Sequence, residues 1–265
     1  MHQNPTEYDQ DRRTGAGISL GKNSLYWARR IVMNIVVTGA SKGIGKAIAE
    51  KFAANGYSLF LCSRNEKSLA GVAEEILKKN SGIQVNYKTC DVSKKDELKN
   101  FSDWVLSKTA SVNILVNNAG SFVPGHVHEE EDGVLELLME TNVYSAYYLS
   151  KYFLPQMMQN KSGHIFNICS IASLMAYKYG GSYSITKYAL AGLSANLRDE
   201  MRNFGVKVTS VFPGAAYTAS WDSSGVLPER IMKAEDIAEM IFTAANLSPQ
   251  ACVEEIVIRP QLGDL

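Results

Sequence analysis

From Met33 onward, short apolar runs alternate with longer stretches in which apolar and polar residues recur with helical spacing. The runs at 35–37, 59–62, 85–89, 114–116, 164–168, 206–212 and 255–258 predict strands. The stretches at 44–55, 67–79, 95–108, 133–158, 183–204 and 234–245 predict helices. Short strands separated by crossover helices pair in parallel, because each helix returns the chain to the same end of the sheet and covers one of its faces. The expected fold is therefore α/β: a Rossmann-type, doubly wound parallel sheet of about seven strands in a three-layer α/β/α sandwich. Residues 1–32 break the pattern. They are polar, show no sustained periodicity, and read as an extension that is disordered or a leader foreign to the native protein. Glu7, Asp9 and Asp11 argue against a transit peptide. Residues 33–265 are expected to form one nucleotide-binding domain.

Composition adds mainly exclusions. Lysine plus arginine and aspartate plus glutamate stand at 27 each, so no whole-protein field attracts nucleic acid or an anionic membrane. The pairs Lys78-Lys79 and Lys94-Lys95 lie in polar helical stretches and read as solvated faces. No apolar run approaches the roughly 20 residues needed to span a bilayer, and no secretory signal is visible, so the cytoplasm is the expected location. Cys62, Cys90 and Cys169 sit at or beside apolar runs and read as buried small hydrophobes in a reducing compartment. A reactive thiol at Cys169 is the sharper alternative. His126 and His128 lack a third ligand and read as surface residues, with no metal implied. The acidic run Glu129–Asp132 should favour the N-terminus of the helix that follows it through the helix dipole.

The first strand–helix turn reads Thr38-Gly39-Ala40-Ser41-Lys42-Gly43-Ile44-Gly45. Glycines there allow a tight turn and close backbone approach, and the helix start offers free N–H groups to a dinucleotide pyrophosphate. The alternative is a plain βα turn. At the end of the second strand, an enzyme selective for NAD would place an acid against the ribose 2′-hydroxyl. This chain has Ser63 and Arg64, with Lys42 in the glycine turn. A hydroxyl and two cations suit a 2′-phosphate, so the expected cofactor is NADP(H). Arg64 could instead only cap a surface loop.

The G-x-x-x-G-x-G turn, Asn117-Asn118-Ala119-Gly120, Tyr183-Ser184-Ile185-Thr186-Lys187 and Pro213-Gly214 together resemble the short-chain dehydrogenase/reductase family over essentially all of 33–265. The resemblance implies that Asp91 and Val92 contact the adenine. It implies that Asn118, Ala119 and Gly120 line the floor beneath the cofactor, and that Pro213, Gly214 and Thr218 lie against the nicotinamide. It also implies a tetrad of Asn142, Ser170, Tyr183 and Lys187. Asn142 would order a water for proton relay, and Ser170, rather than the nearby Ser173, would hold the substrate oxygen.

The chemistry of the Tyr183–Lys187 pair follows independently. Hydride addition to a carbonyl leaves charge on oxygen that needs a proton near neutral pH. Tyrosine is a poor donor there unless an ammonium stabilises its phenolate. Spacing of four puts Tyr183 and Lys187 on one helix face.

The stretch from Pro213 to Trp221 and the ending Val253–Asp264 are similar to bacterial sepiapterin reductases. That likeness implies a small-molecule carbonyl substrate, with Trp221 offering a flat face to a pterin; Trp221 could equally plug the lid over the nicotinamide. Residues 219–232 should form that lid. Reduction of 3-oxoacyl thioesters and a non-catalytic, NADP-sensing role stay open beside this reading. Surplus apolar positions on the helices at 133–158 and 183–204, among them Tyr144, Tyr147, Tyr148, Leu190 and Leu193, imply a homodimer or homotetramer.

Overall fold

The computed structural model describes residues 33–218 and 225–264. The main sheet contains β1 (Asn34–Thr38), β2 (Ser58–Ser63), β3 (Val85–Thr89), β4 (Ile114–Asn117), β5 (Gly163–Ile168) and β6 (Val206–Pro213). Two short strands follow, β7 (Ala216–Tyr217) and β8 (Met232–Lys233), and then β9 (Glu255–Ile258). The helices are α1 (Gly43–Ala54), α2 (Glu66–Lys79), α3 (Lys95–Lys108), α4 (Val134–Met139), α5 (Ser145–Gln159), α6 (Gly181–Met201) and α7 (Ala234–Ala245).

Seven strands form a fully parallel sheet in the order β3-β2-β1-β4-β5-β6-β9. The order reverses between β1 and β4, and a crevice for ligand opens at such a switch point, outside the carboxyl ends of the strands. Every residue of β1, β2 and β4 is buried, which explains why these strands read as continuous apolar runs rather than alternating ones.

The two faces of the sheet carry separate cores. On one, Phe52, Tyr57 and Phe242 meet edge to face beneath α1 and α7. On the other, Phe60, Phe101 and Trp104 meet beneath α3, and Phe153 packs among Leu115, Ile165 and Val208. Burying side chains of this size contributes on the order of 1.5–3 kcal/mol each, so both layers hold the sheet edge rigid where the crevice opens.

Three features depart from the expected pattern. The helical region at 133–158 is not one helix: a π-helical turn at Glu140–Tyr144 joins α4 to α5. Such turns widen the helix by one residue and recur at functional sites. The segment after β6 contains a two-stranded parallel ribbon, β7 with β8, at its two ends. Finally, Leu190 is buried, so it belongs to the core and not to a surplus apolar surface. Tyr144 and Tyr147 are indeed exposed, while Tyr148 and Leu193 are half-buried. Among the described residues no helix is long and apolar enough to cross a membrane.

Candidate active site

A cleft of about 250 Å³ lies over the switch point. Gly39, Ser41, Lys42, Gly43, Ile44, Ser63, Arg64, Asp91, Val92, Asn118, Ala119, Gly120 and Thr218 all line it. Its geometry fits a dinucleotide. The N-terminus of α1 faces it with no side-chain cap and no acid in the first turn, so the helix presents its positive end and backbone N–H groups there. Gly39 and Gly43 have positive φ, +65° and +56°, which other residues adopt only with strain. Gly45 does not line the cleft but lies beneath it, where a Cβ would run into Gly39 O and Asn118 Nδ2.

Thr38, passed over in the sequence, ties this floor together. Its Oγ accepts hydrogen bonds from the N–H groups of Asn118 (3.0 Å) and Ala119 (2.9 Å), so the end of β1 fixes the loop after β4. Asn118 Nδ2 donates back to Thr38 O at 2.8 Å.

At the end of the cleft lined by Asp91 and Val92, Ser63 is buried, while Arg64 is exposed. Burial pushes the Asp91 carboxyl up, but hydrogen bonds from Ser93 and the positive charge of Arg64 outweigh it, and the group sits below its ordinary range. No acid stands at the end of β2 to repel a 2′-phosphate.

Beside the cleft, next to Gly120, three elements carry the predicted catalytic residues. Lys187 is buried on α6; its ammonium donates to Ile168 O at 2.8 Å and lies 5.6 Å from the Tyr183 ring centre. Ile168 closes β5, two residues before Ser170. Ser170 caps the short 3-10 turn Ile171–Ser173, and its Oγ accepts from Ala172 N–H at 3.1 Å. The hydroxyl hydrogen of Ser170 is left to donate. Ser173 is buried and accepts from Ser170 N–H, so it supports the turn rather than facing the cleft.

Asn142 lies within the π turn. Its Oδ1 accepts from Ser121 N–H, and its Nδ2 donates to Ser121 O and to Thr186 Oγ. Both amide hydrogens and one of the two acceptor sites of the carboxamide are thus used. A Cβ on Gly120 would lie 3.2 Å from Asn142 Oδ1 and 3.6 Å from Lys187 Nζ, which shows how closely the cofactor floor and the catalytic cluster abut. Beneath them runs a buried polar chain that sequence patterning gave no sign of: Asn117 Nδ2 donates to Asn167 Oδ1, and Asn167 Nδ2 donates to Ser194 Oγ, both at 2.8 Å.

Pro213 is buried and Gly214 packs against Pro260 and Asp264; neither lines the cleft. Thr218 does, and it covers Gly43, whose Cβ would stand 2.9 Å from Thr218 Cγ2. Trp221 lies outside the described residues, as do residues 1–32. Phe122, unmarked in the sequence reading, sets its ring edge to face against Tyr183 at 4.9 Å and is 51% exposed, so it walls the mouth of the cleft. Ser121 and Thr141 also line the cleft.

Cys169 is buried and its thiol is pushed up to about 11, chiefly by burial, which removes the thiolate that a reactive cysteine needs. Cys62 and Cys90 are buried as expected, while Cys252 is exposed. The His126 ring lies 4.8 Å from that of Tyr179, tilted by 52°.

One expectation is corrected outright. Within the acidic run, the Glu130 carboxylate serves not the following helix but α6, accepting from Ser182 N–H at 2.8 Å and from the Ser182 hydroxyl. The chain's fold-back at Gly125, bridged to Gly180, carries Glu130 there.

The chain matches the short chain dehydrogenase family over residues 33–225 and belongs to it. An uncharacterized oxidoreductase of Staphylococcus saprophyticus is 33% identical over 225 residues, covering 85% of this chain and 96% of that one. The sepiapterin reductase of Chlorobaculum tepidum is 30% identical over 239 residues, covering 87% and 97%. A metagenomic short-chain oxidoreductase solved in complex with NADP is 31% identical, with a TM-score of 0.76 over 86% of this chain and 97% of that one. The protein is an oxidoreductase of this family.

Proposed function

We propose that the chain is an NADPH-dependent carbonyl reductase in which Tyr183 gives the proton to the substrate oxygen. What supports this reading is the placement of Lys187 beside the Tyr183 ring and, with Asn142, against Gly120 of the cofactor floor, its ammonium tied to Ile168 O two residues before Ser170. NADPH, when bound, supplies the hydride to the carbonyl carbon. Ser170 holds the substrate oxygen with the hydrogen that its cap leaves free. Tyr183 protonates that oxygen, and the Lys187 ammonium stabilises the charge left on the phenol. Asn142 holds the π turn and Ser121 in place and would order a relay water. Lys42, Ser63 and Arg64 bind the 2′-phosphate, Asp91 and Val92 the adenine, and Thr218 the nicotinamide end, with Pro213 and Gly214 supporting its loop from behind.

For the substrate we infer sepiapterin or a related diketone. The supports are the 30% identity to a sepiapterin reductase and the aromatic wall at Phe122, to which Trp221 would add a second ring. We also infer a homodimer or homotetramer formed through α5 and α6, where Tyr144, Tyr147, Ile185 and Tyr188 are exposed. A single-chain mass by light scattering would remove that inference. A cytoplasmic location, keeping the buried thiols reduced, accompanies the reading.

The test is NADPH oxidation followed at the nicotinamide absorbance, with sepiapterin beside diketones, aldehydes and a 3-oxoacyl thioester, and NADH as the cofactor control. Fast turnover of sepiapterin with NADPH is expected. Turnover of other carbonyls without sepiapterin would keep the reductase and discard the pterin.

A further inference from the structure

The segment after β4 is stitched to the start of α6 along its length. Phe122 meets Tyr183, Gly125 N–H donates to Tyr179 O at 3.0 Å, and the His126 ring packs at a tilt against that of Tyr179. Tyr179 holds φ at +56°, a conformation that costs a non-glycine residue on the order of 1–3 kcal/mol and persists only where the surroundings impose it. The charged group in this seam is the Glu130 carboxylate. Of the four acidic residues 129–132, it alone is withdrawn from full exposure. Its carboxylate takes both donors of Ser182, and two glycines make room for it: a Cβ at Gly125 would lie 2.9 Å from Glu130 Cγ, and one at Gly181 would fall on the carboxylate itself.

We propose that Glu130 is a positioning residue for Tyr183. The proposal rests on the reading of Tyr183 as the proton donor. The first N–H groups of a helix have no partner within it, and a helix whose first turn is unpaired frays there. Ser182 is the second residue of α6 and Tyr183 the third, so the turn that would fray is the one that aims the phenol. A carboxylate satisfies those donors with charge-assisted bonds and is favoured by the helix dipole. Because the same residue belongs to the wall bearing Phe122, it holds the phenol and the cleft mouth in one frame. A displacement of about 1 Å at a reacting group can lower turnover by on the order of a hundredfold.

The experiment uses the full-length protein as Glu130→Ala and Glu130→Gln. Amide hydrogen exchange is read over 177–190 with NADPH bound, and NADPH affinity is read by fluorescence titration. Turnover is measured with whichever carbonyl of the panel the native enzyme reduces. In Glu130→Ala, exchange at 180–184 should quicken while that of β1, β4 and β5 stays unchanged. Its kcat should fall by about tenfold or more, with NADPH affinity within about twofold. Glu130→Gln, which keeps an acceptor oxygen for Ser182, should recover most of the lost kcat. Native exchange and kcat in Glu130→Ala would overturn the proposal. So would a general rise in exchange across the sheet with NADPH affinity lost in step, which would mark a structural role alone. If Tyr183→Phe turned over normally, the assignment of Tyr183 would fail separately, and the exchange result would still decide whether Glu130 holds the turn.

Discussion

Two helix N-termini face the same edge of the sheet and are finished in opposite ways. That of α1 has no side-chain cap and no acid in its first turn. That of α6 is closed by Glu130, a carboxylate reaching over from the loop after β4. The first is left with its donors turned outward, as a site for an anionic ligand requires. The second has its donors used inside the protein, as a site that must hold one side chain still requires. The orphan N–H groups of a helix start therefore face a binding cleft in one place, while in the other the Ser182 N–H is used for positioning, and the difference lies in whether the protein supplies the anion itself.

The largest effect that would break this division is at α6. Tyr183→Phe is expected to lower kcat on the order of a thousandfold, the scale of a lost general acid, with NADPH affinity unchanged within about twofold. Loss of NADPH binding in that variant would mean that the two ends are not separable.

At the α1 end, Arg64→Glu should weaken NADPH by on the order of tenfold or more and move preference toward NADH, because a carboxylate repels the 2′-phosphate and suits the free 2′-hydroxyl. Equal use of both cofactors by the native protein would contradict the role given to Arg64.

Gly45→Ala sharpens the comparison further. Its Cβ would meet Gly39 O and Asn118 Nδ2, so the α1 turn must shift, at a cost of about 1–3 kcal/mol in thermal unfolding and with weaker NADPH binding. An equivalent change at Gly192, whose Cβ would meet nothing, should do neither.

The smallest effect lies away from the cleft, at the amino end of β5. His164 Nε2 lies 2.7 Å from Thr209 Oγ, whose own hydrogen goes to Val253 O, and His164 Nδ1 is buried without a partner. Burial, aided by the charge of Lys207, holds the imidazole neutral and lowers its pKa to about 3. The unfolded chain, with histidine near 6.5, binds the extra proton in the window between. Stability is therefore complete above pH about 6.5 and falls as pH drops through the window, by up to roughly 1.4 kcal/mol per pH unit. Denaturant unfolding at pH 7 and pH 5 should show this slope, and His164→Gln should flatten it. Activity at neutral pH should not follow it.

Much of this was legible in the chain itself. The seven strands of the main sheet fall within two residues of their expected bounds; for β1, β2 and β4 this is because strands buried on both faces must be continuously apolar. The glycine turn was legible because its neighbours in space are its neighbours in sequence. Tyr183 and Lys187 were legible for the same reason, one helical turn apart. The π turn that carries Asn142 was not, since its residues are ordinary helix formers. Nor was Thr38 as the tie between β1 and β4, nor Asn117 and Asn167 as a buried polar chain, because each depends on a partner more than 25 residues away. Leu190 was assigned to the surface because helical periodicity does not say how wide a face the neighbouring elements cover.

Glu130 marks the boundary most clearly. The sequence alone determined that four acids stand before a helix, and local rules assign them to that helix. Only the tertiary structure decided that one of them serves a different helix 52 residues on. A carboxylate satisfies whichever unpaired donors the fold brings within reach, and the bridge between Gly125 and Gly180 brings those of α6. Local pattern determined the elements and the contiguous motifs, since their energetics are short-range. The long-range pairing of strands and loops decided which motif meets which.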